Sequence, residues 1–185
     1  MTLVLACSVA FGASAKKPLI GVSIWSSTDT LGSQVKRILD AAASALDVNI
    51  MYVDQGHVSE KVTASAETLA AAGCDGMIIC NSASAEMNAV INTCTKSKMY
   101  LAQFFRIIDK TANPNEYKLA CQSPYYIGAV HESEVDNGMN LVRILCEKGC
   151  RKIALEGWNS GDATFLIRWQ GYKAGLDAWN KANPS

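Results

Sequence analysis

The sequence predicts an α/β fold, a doubly wound and mostly parallel sheet, and three observations point to it. Short apolar runs rich in β-branched residues alternate with segments of helical period. The runs are continuously apolar rather than alternating, as befits strands covered on both faces. The first four strand starts are 29, 27 and 23 residues apart, close to the ~30 of a βαβ unit.

Leu19–Trp25 (LIGVSIW) is the first strand. Leu31, Val35, Ile38, Leu39, Ala42 and Leu46 then keep a helical period, with Asp29 or Thr30 as N-cap. Val48–Asp54 is the second strand, and Val58, Val62, Ala66 and Leu69 mark a helix closed by Gly73. Asp75–Asn81 is the third strand, and Met87, Val90, Ile91 and Cys94 mark the next helix. Lys98–Phe105 is the fourth strand. Ile107–Pro124 is polar and reads as irregular, with Asn113-Pro114-Asn115 as a turn signal. Tyr126–His131 is a short fifth strand, Val135–Lys148 a helix ended by Gly149, and Arg151–Gly157 a sixth strand. Phe165, Trp169, Tyr172, Leu176 and Trp179 form the apolar face of a last helix, stopped by Asn183-Pro184.

A chain of 185 residues makes one domain, or one and part of a second. Its 17 basic and 17 acidic side chains cancel, which argues against a nucleic-acid partner. At 49% hydrophobic residues, disorder is excluded. No apolar run reaches the ~20 residues of a membrane-spanning helix, which argues against an integral membrane protein.

Thr2–Ala15 is uncharged and apolar and ends in Ala13-Ser14-Ala15, like the hydrophobic region and small-residue cleavage site of a secretory signal. The basic region that should precede it is missing, since Lys16 is the first charge. Cys7 would be the lipidated residue of a lipoprotein variant, although Leu5 is atypical before it. Residues 1–17 are thus read as a signal peptide or its remnant, and the location as periplasmic or extracellular, free or lipid-anchored at the cell surface. Cys74, Cys80, Cys94, Cys121, Cys146 and Cys150 are scattered through a chain too large to need disulfides, and all six are read as core. Cys146 and Cys150 share a helical face but lack the further ligands of a zinc site, so no metal is expected.

In such sheets ligands sit beyond the carboxyl ends of the strands, where the strand order reverses. Those loops offer Trp25, Ser26, Ser27, Asp29 and Thr30, then Asp54 and Gln55, then Asn81 and Ser82. Arg106 follows the fourth strand, Glu132 and Glu134 the fifth, and Trp158, Asp162 and Arg168 the sixth. No nucleophile–base pair stands out. Gly21-Val22-Ser23-Ile24 lacks the dinucleotide cradle, and no P-loop or nucleophile elbow occurs. His57 reads as a solvated loop residue and His131 as a satisfied buried one. No catalytic residue and no cofactor is expected, so the chain is read as a binding protein rather than an enzyme. Amides, carboxylates and arginine beside indoles suit a polyol, whose hydroxyls donate and accept while its apolar face stacks on a ring.

From about Lys17 to Ser185 the sequence resembles the type I periplasmic binding proteins, the ribose-binding and lactose-repressor-like sugar-binding family. PLIGVSIW resembles the opening of the first lobe, AAAGCDGMIICNSAS the segment before a substrate loop, and YLAQFFR the strand ending in a ligand-binding arginine. YIGAVHESEVDNG resembles the crossover strand and the helix after it, CRKIALEGW a second-lobe strand, and RWQGY the signature on the helix that follows. The resemblance implies an N-terminal lobe at 18–134 and the start of an incomplete C-terminal lobe at 135–185. It implies ligand contacts from Arg106, Arg168, the Ser26–Thr30 loop and the start of the Val135 helix. Together with the strand-end residues this gives a candidate site of Trp25, Ser26, Asp29, Thr30, Asn81, Arg106, Glu134, Trp158 and Arg168. Phe105 stands where the family often has aspartate, and Glu134-Val135 where it has Asp-Asn, so the ligand need not be a standard pentose.

The function this implies is that of an extracytoplasmic solute-binding protein of an ABC-type importer. It would be a monomer that holds a sugar-like molecule in a cleft between lobes and presents it to a membrane permease. The alternative is the ligand-sensing domain of a receptor or transcriptional repressor. The few residues before the first strand are too short for a helix-turn-helix.

Overall fold

Backbone groups of an apolar run must find partners, and here five runs find each other. β1 (Leu19–Ile24), β2 (Asn49–Asp54), β3 (Gly76–Ile79), β4 (Tyr100–Phe104) and β5 (Tyr126–Val130) form one sheet in the order β2-β1-β3-β4-β5. The β1–β2, β1–β3 and β3–β4 pairs are parallel. At the β4–β5 edge, Leu101 N donates to Tyr125 O at 2.8 Å. The chain steps from β1 outward to β2, returns past β1 to β3 and continues away, so the order reverses between β1 and β3. The computed structural model describes residues 16–157 and 163–184, and the expected signal segment and Cys7 lie outside them.

The chain divides into two compact units, Met1–Ala129 and Val130–Ser185. In the first, α1 (Thr30–Leu46), α2 (Ser59–Ala71), α3 (Met87–Ser97) and α4 (Pro114–Gln122) connect the strands. Val62, Ala66 and Leu69 of α2 and Met87, Val90 and Ile91 of α3 bury their side chains in one core with Met77, Ile79 and Leu101 of the sheet. α1 is different, because only Gly32 and Ala43 are buried on it. Ile38 is 68% and Leu46 72% exposed. This helix is held along β2 by polar contacts: Tyr52 donates its hydroxyl to Asp40 at 2.7 Å, and the Lys36 ammonium stands 4.4 Å from the Tyr52 ring. Lys36 and Tyr52 bonding hold the Asp40 carboxyl below its ordinary value, and burial raises the Tyr52 phenol.

The second unit holds α5 (Glu134–Glu147) and α6 (Ala163–Ala182). Glycine makes their crossing close. A Cβ on Gly138 would fall 2.4 Å from Arg168 O, and one on Gly171 2.2 Å from Val135 O. Backbone cannot yield there, so the two helices touch main chain to main chain. Val142, Cys146 and Tyr172 form the small core beside this contact, with Ile153, Leu176 and Trp179 packed against it. Of the apolar face expected on α6, Tyr172 is buried but Trp169 is 39% exposed.

Four expectations need correction. Arg151–Gly157 is not a strand: among the described residues no strand lies beside it, and an unpaired run has no ladder to define one. Ile107–Pro124 is not wholly irregular, because Pro114 starts α4. Its fixed φ suits the first helical turn, so the supposed turn signal marks a helix start. His131 lies past the end of β5 and is exposed, not buried. Cys121 is exposed and Cys150 half-buried, so only Cys74, Cys80, Cys94 and Cys146 are core cysteines.

Candidate functional site

The carboxyl ends of β1, β2, β3 and β4 carry a polar layer under an aromatic one. In the lower layer Gln55, fully buried, donates to Ser23 Oγ at 2.8 Å and to the Cys80 carbonyl at 3.0 Å. Ser23 Oγ in turn shares a 2.7 Å bond with Ser65. Asn81 accepts from Gln103 at 2.7 Å, whose own amide oxygen accepts from Tyr126 at the same distance. Strands β1 to β5 are thereby tied across their ends. Among the described residues one buried side-chain atom, Gln55 Oε1, has no hydrogen-bond partner. The amide cannot be flipped to relieve it, since the Cys80 carbonyl only accepts. Burial pushes the Cys80 thiol up to about 11 against the opposing Arg106 charge, so it stays protonated at neutral pH.

Above this layer, Trp25 from the end of β1 meets Phe104 and Phe105 from the end of β4 across β3. The ring centroids are 6.2 Å apart for Trp25–Phe104, 5.9 Å for Trp25–Phe105 and 5.2 Å for Phe104–Phe105. All three rings are half-buried. Phe105 has a φ of 59°, a left-handed conformation that a phenylalanine adopts only when its surroundings hold it there. Arg106 follows, half-buried, with no hydrogen bond or ion pair among the described residues.

The β1 loop is spent largely on itself. Asp29 caps α1 by accepting from Gly32 N at 2.6 Å, and its other oxygen accepts from the Trp25 indole at 2.7 Å. Ser26 Oγ accepts from Asp29 N at 3.2 Å. A Cβ on Gly32 would stand 1.8 Å from Ser26 O, so the loop folds onto the helix start only because that residue is glycine. Thr30 is exposed at the first turn. Trp25 is therefore oriented by Asp29, with its ring edge fixed.

Unit 1 thus brings together Trp25, Ser26, Asp29, Asn81 and Arg106 at strand ends, with Thr30 at the loop's rim. In unit 2, Arg168 and Glu134 meet each other. Arg168 Nε and Nη2 donate to one Glu134 oxygen at 2.8 and 2.5 Å, and the guanidinium lies 5.4 Å from the Phe165 ring centre. Both donors of one edge converge on a single oxygen, which leaves the Nη1 edge of the fork unused by that pair. Trp158 and Asp162 lie outside the described residues. Reading strand ends for polar groups missed Phe104, Phe105 and Gln103. The run Phe104-Phe105-Arg106 was the available signal, since it sets two rings directly before an arginine at a strand end.

A cavity of about 190 Å³ lies elsewhere in unit 2, lined by Leu141, Leu145, Leu155 and Tyr172 among others. Its walls are mostly apolar and include Ile153–Glu156 of the unpaired segment, with Glu156 and Tyr172 the polar-bearing residues among those that line it.

Sheet order and strand-end geometry define the class: the chain has the type I periplasmic-binding-protein fold. It is similar to a solved galactofuranose binding protein at 15% identity and a TM-score of 0.70, covering 87% of this chain and 52% of that one. It is also similar to the Lac repressor solved with ONPG in its repressed state, at 21% identity and a TM-score of 0.69, covering 90% and 46%. The transcription regulator CcpA of Lactococcus lactis matches at 19% identity and a TM-score of 0.66, covering 89% and 55%. The chain therefore spans about half the length of the solved proteins it matches. No family profile and no curated protein sequence matches it.

Proposed function

We propose that the protein is an extracytoplasmic solute-binding protein that takes up a sugar or sugar-like molecule and hands it to the membrane permease of an ABC-type importer. The observation that carries the reading is the half-buried Trp25–Phe104–Phe105 cluster at the strand ends, followed in the chain by Arg106, which has no hydrogen bond or ion pair among the described residues. Rings stack on the apolar face of a sugar while the guanidinium fork takes its oxygens. Asn81, Ser26 and Thr30 line the same strand ends, and Arg168, oriented by Glu134, offers a second fork. Trp158 belongs to the same proposal by its place in the sequence. No catalytic residue or cofactor enters it, and the protein acts as a monomer. Export through Thr2–Ala15, with or without lipidation of Cys7, places it outside the cytoplasm.

A thermal-shift screen of sugars on the full-length protein tests the binding step, because a true ligand raises the melting temperature by mass action. Arg168→Ala should weaken binding of the sugar so found by about 2 kcal/mol. N-terminal sequencing of protein from its native host should begin at Lys16 or at a lipidated Cys7.

The second reading, a ligand-sensing domain of a repressor, is favoured by the similarity to the Lac repressor and CcpA. Cell fractionation separates the two. Recovery of the native protein in the cytoplasm, bound to operator DNA, supports the repressor.

A further inference from the structure

The hydrogen bonds at the strand ends of unit 1 point one step beyond a sugar, and this step rests on the reading above. The carboxylates there already accept hydrogen bonds, all from neutral donors. Asp29 holds Gly32 N and the Trp25 indole. Asp54 accepts from Ser27 N at 3.1 Å and Ser27 Oγ at 2.9 Å through one oxygen. Glu86, 8% exposed, accepts from Ser82 N at 2.8 Å, Ala83 N at 3.0 Å and the Ser59 hydroxyl.

The cation is not satisfied. Arg106 is half-buried and makes no hydrogen bond or ion pair among the described residues. Lys61, exposed, adds a second positive charge, its Nζ 3.6 Å from where a Cβ on Gly56 would stand at the end of β2. A guanidinium partly removed from water gains most from a charged acceptor, because low local polarity strengthens a charge-assisted bond. A neutral hydroxyl would leave its charge uncompensated.

We propose that the ligand is an anionic carbohydrate, a polyol bearing a carboxylate or phosphate, whose charged group is taken by Arg106 while its carbon face lies on the Trp25–Phe104–Phe105 cluster. The guanidinium, unpaired among the described residues, and the aromatic cluster at the carboxyl ends of β1 and β4 are the juxtaposition that makes this site.

Calorimetric titration of the full-length protein with matched pairs tests it: galactose against galacturonate, glucose against gluconate, ribose against ribose 5-phosphate, and inorganic phosphate alone. The charged member of one pair should bind at least about tenfold tighter than its neutral twin. The tighter charged arm tells carboxylate from phosphate. Arg106→Gln should erase that preference and Arg106→Lys should keep a reduced one, with circular dichroism showing both variants folded. A neutral twin that binds as tightly as the charged one overturns the inference while the sugar reading stands. So does a preference that survives Arg106→Gln, or inorganic phosphate that matches the sugar phosphate. Binding of no sugar in any arm overturns the sugar reading itself, and this inference with it.

Discussion

Unit 1 and unit 2 use similar amino acids to different effect. In unit 1, Leu69, Ile79, Met87, Ile91 and Leu101 are completely buried between two helices and a five-stranded sheet. In unit 2, Leu155 is 47% and Leu166 46% exposed, and two helices in glycine contact carry only a small core. The difference lies in partners rather than composition. The run Ile153-Ala154-Leu155 is apolar throughout, as Met77-Ile78-Ile79 is, yet only the second has neighbours on both sides. A strand is a relation between segments, so one half of the molecule is defined by its sheet and the other by a single helix crossing.

The largest expected effect lies in the sheet-built half. Leu69→Ala should cost about 3 kcal/mol in urea denaturation, because its fully buried side chain fills the space over Gly21. Leu155→Ala, half open to solvent, should cost less than about 1 kcal/mol. Equal losses would erase the contrast between the units.

Next comes the helix crossing. Gly171→Val puts side-chain carbon into the Val135 carbonyl and should cost about 2 kcal/mol. Hydrogen exchange should accelerate across α5 and α6 and remain unchanged in β1, β3 and β4. Acceleration in both units alike would show that they fold as one.

Asp29→Ala should cost about 1 kcal/mol through the lost cap of α1. Asp29→Asn should recover most of it, because an amide oxygen can still accept from Gly32 N.

The smallest effect concerns pH. The folded Asp40 carboxyl lies below its ordinary value, first through its bond from Lys36 and then through Tyr52. Its contribution is complete above the unfolded carboxylate range and is lost as pH falls through the lowered folded value. The carboxylate is largely exposed, so solvent reduces this to a few tenths, about 0.3 kcal/mol. Comparing Asp40→Asn with the parent between pH 7 and pH 3 should show a small gap that closes on acidification.

The five strands of the sheet and most helices were legible because apolar period and turn residues act locally, as Asp29, Gly73 and Gly149 illustrate. Arg151–Gly157 failed because its state depends on a neighbour that no local pattern encodes. α4 failed because Asn113-Pro114 serves a turn and a helix start equally well, and the outcome rests on Ala120 reaching the core. At the candidate site, Arg106 was legible as a strand-end arginine, whereas its lack of a partner is a fact of three dimensions. The pairing of Arg168 with Glu134, 34 residues apart in sequence, was equally invisible. Asp29 was read both as cap and as candidate ligand group, and in the structure its two oxygens are divided between the helix and the Trp25 indole.

That indole gives the protein a built-in optical reporter. Of its four tryptophans, Trp25 alone belongs to unit 1; Trp158, Trp169 and Trp179 belong to unit 2. Replacing those three with phenylalanine leaves one emitter, held at its nitrogen by Asp29 and bordered by two phenylalanine rings. A solute settling on that edge would displace water from the indole and shift its emission towards the blue, whereas urea would shift it towards the red. Occupancy and unfolding would then be read from one spectrum, without a label.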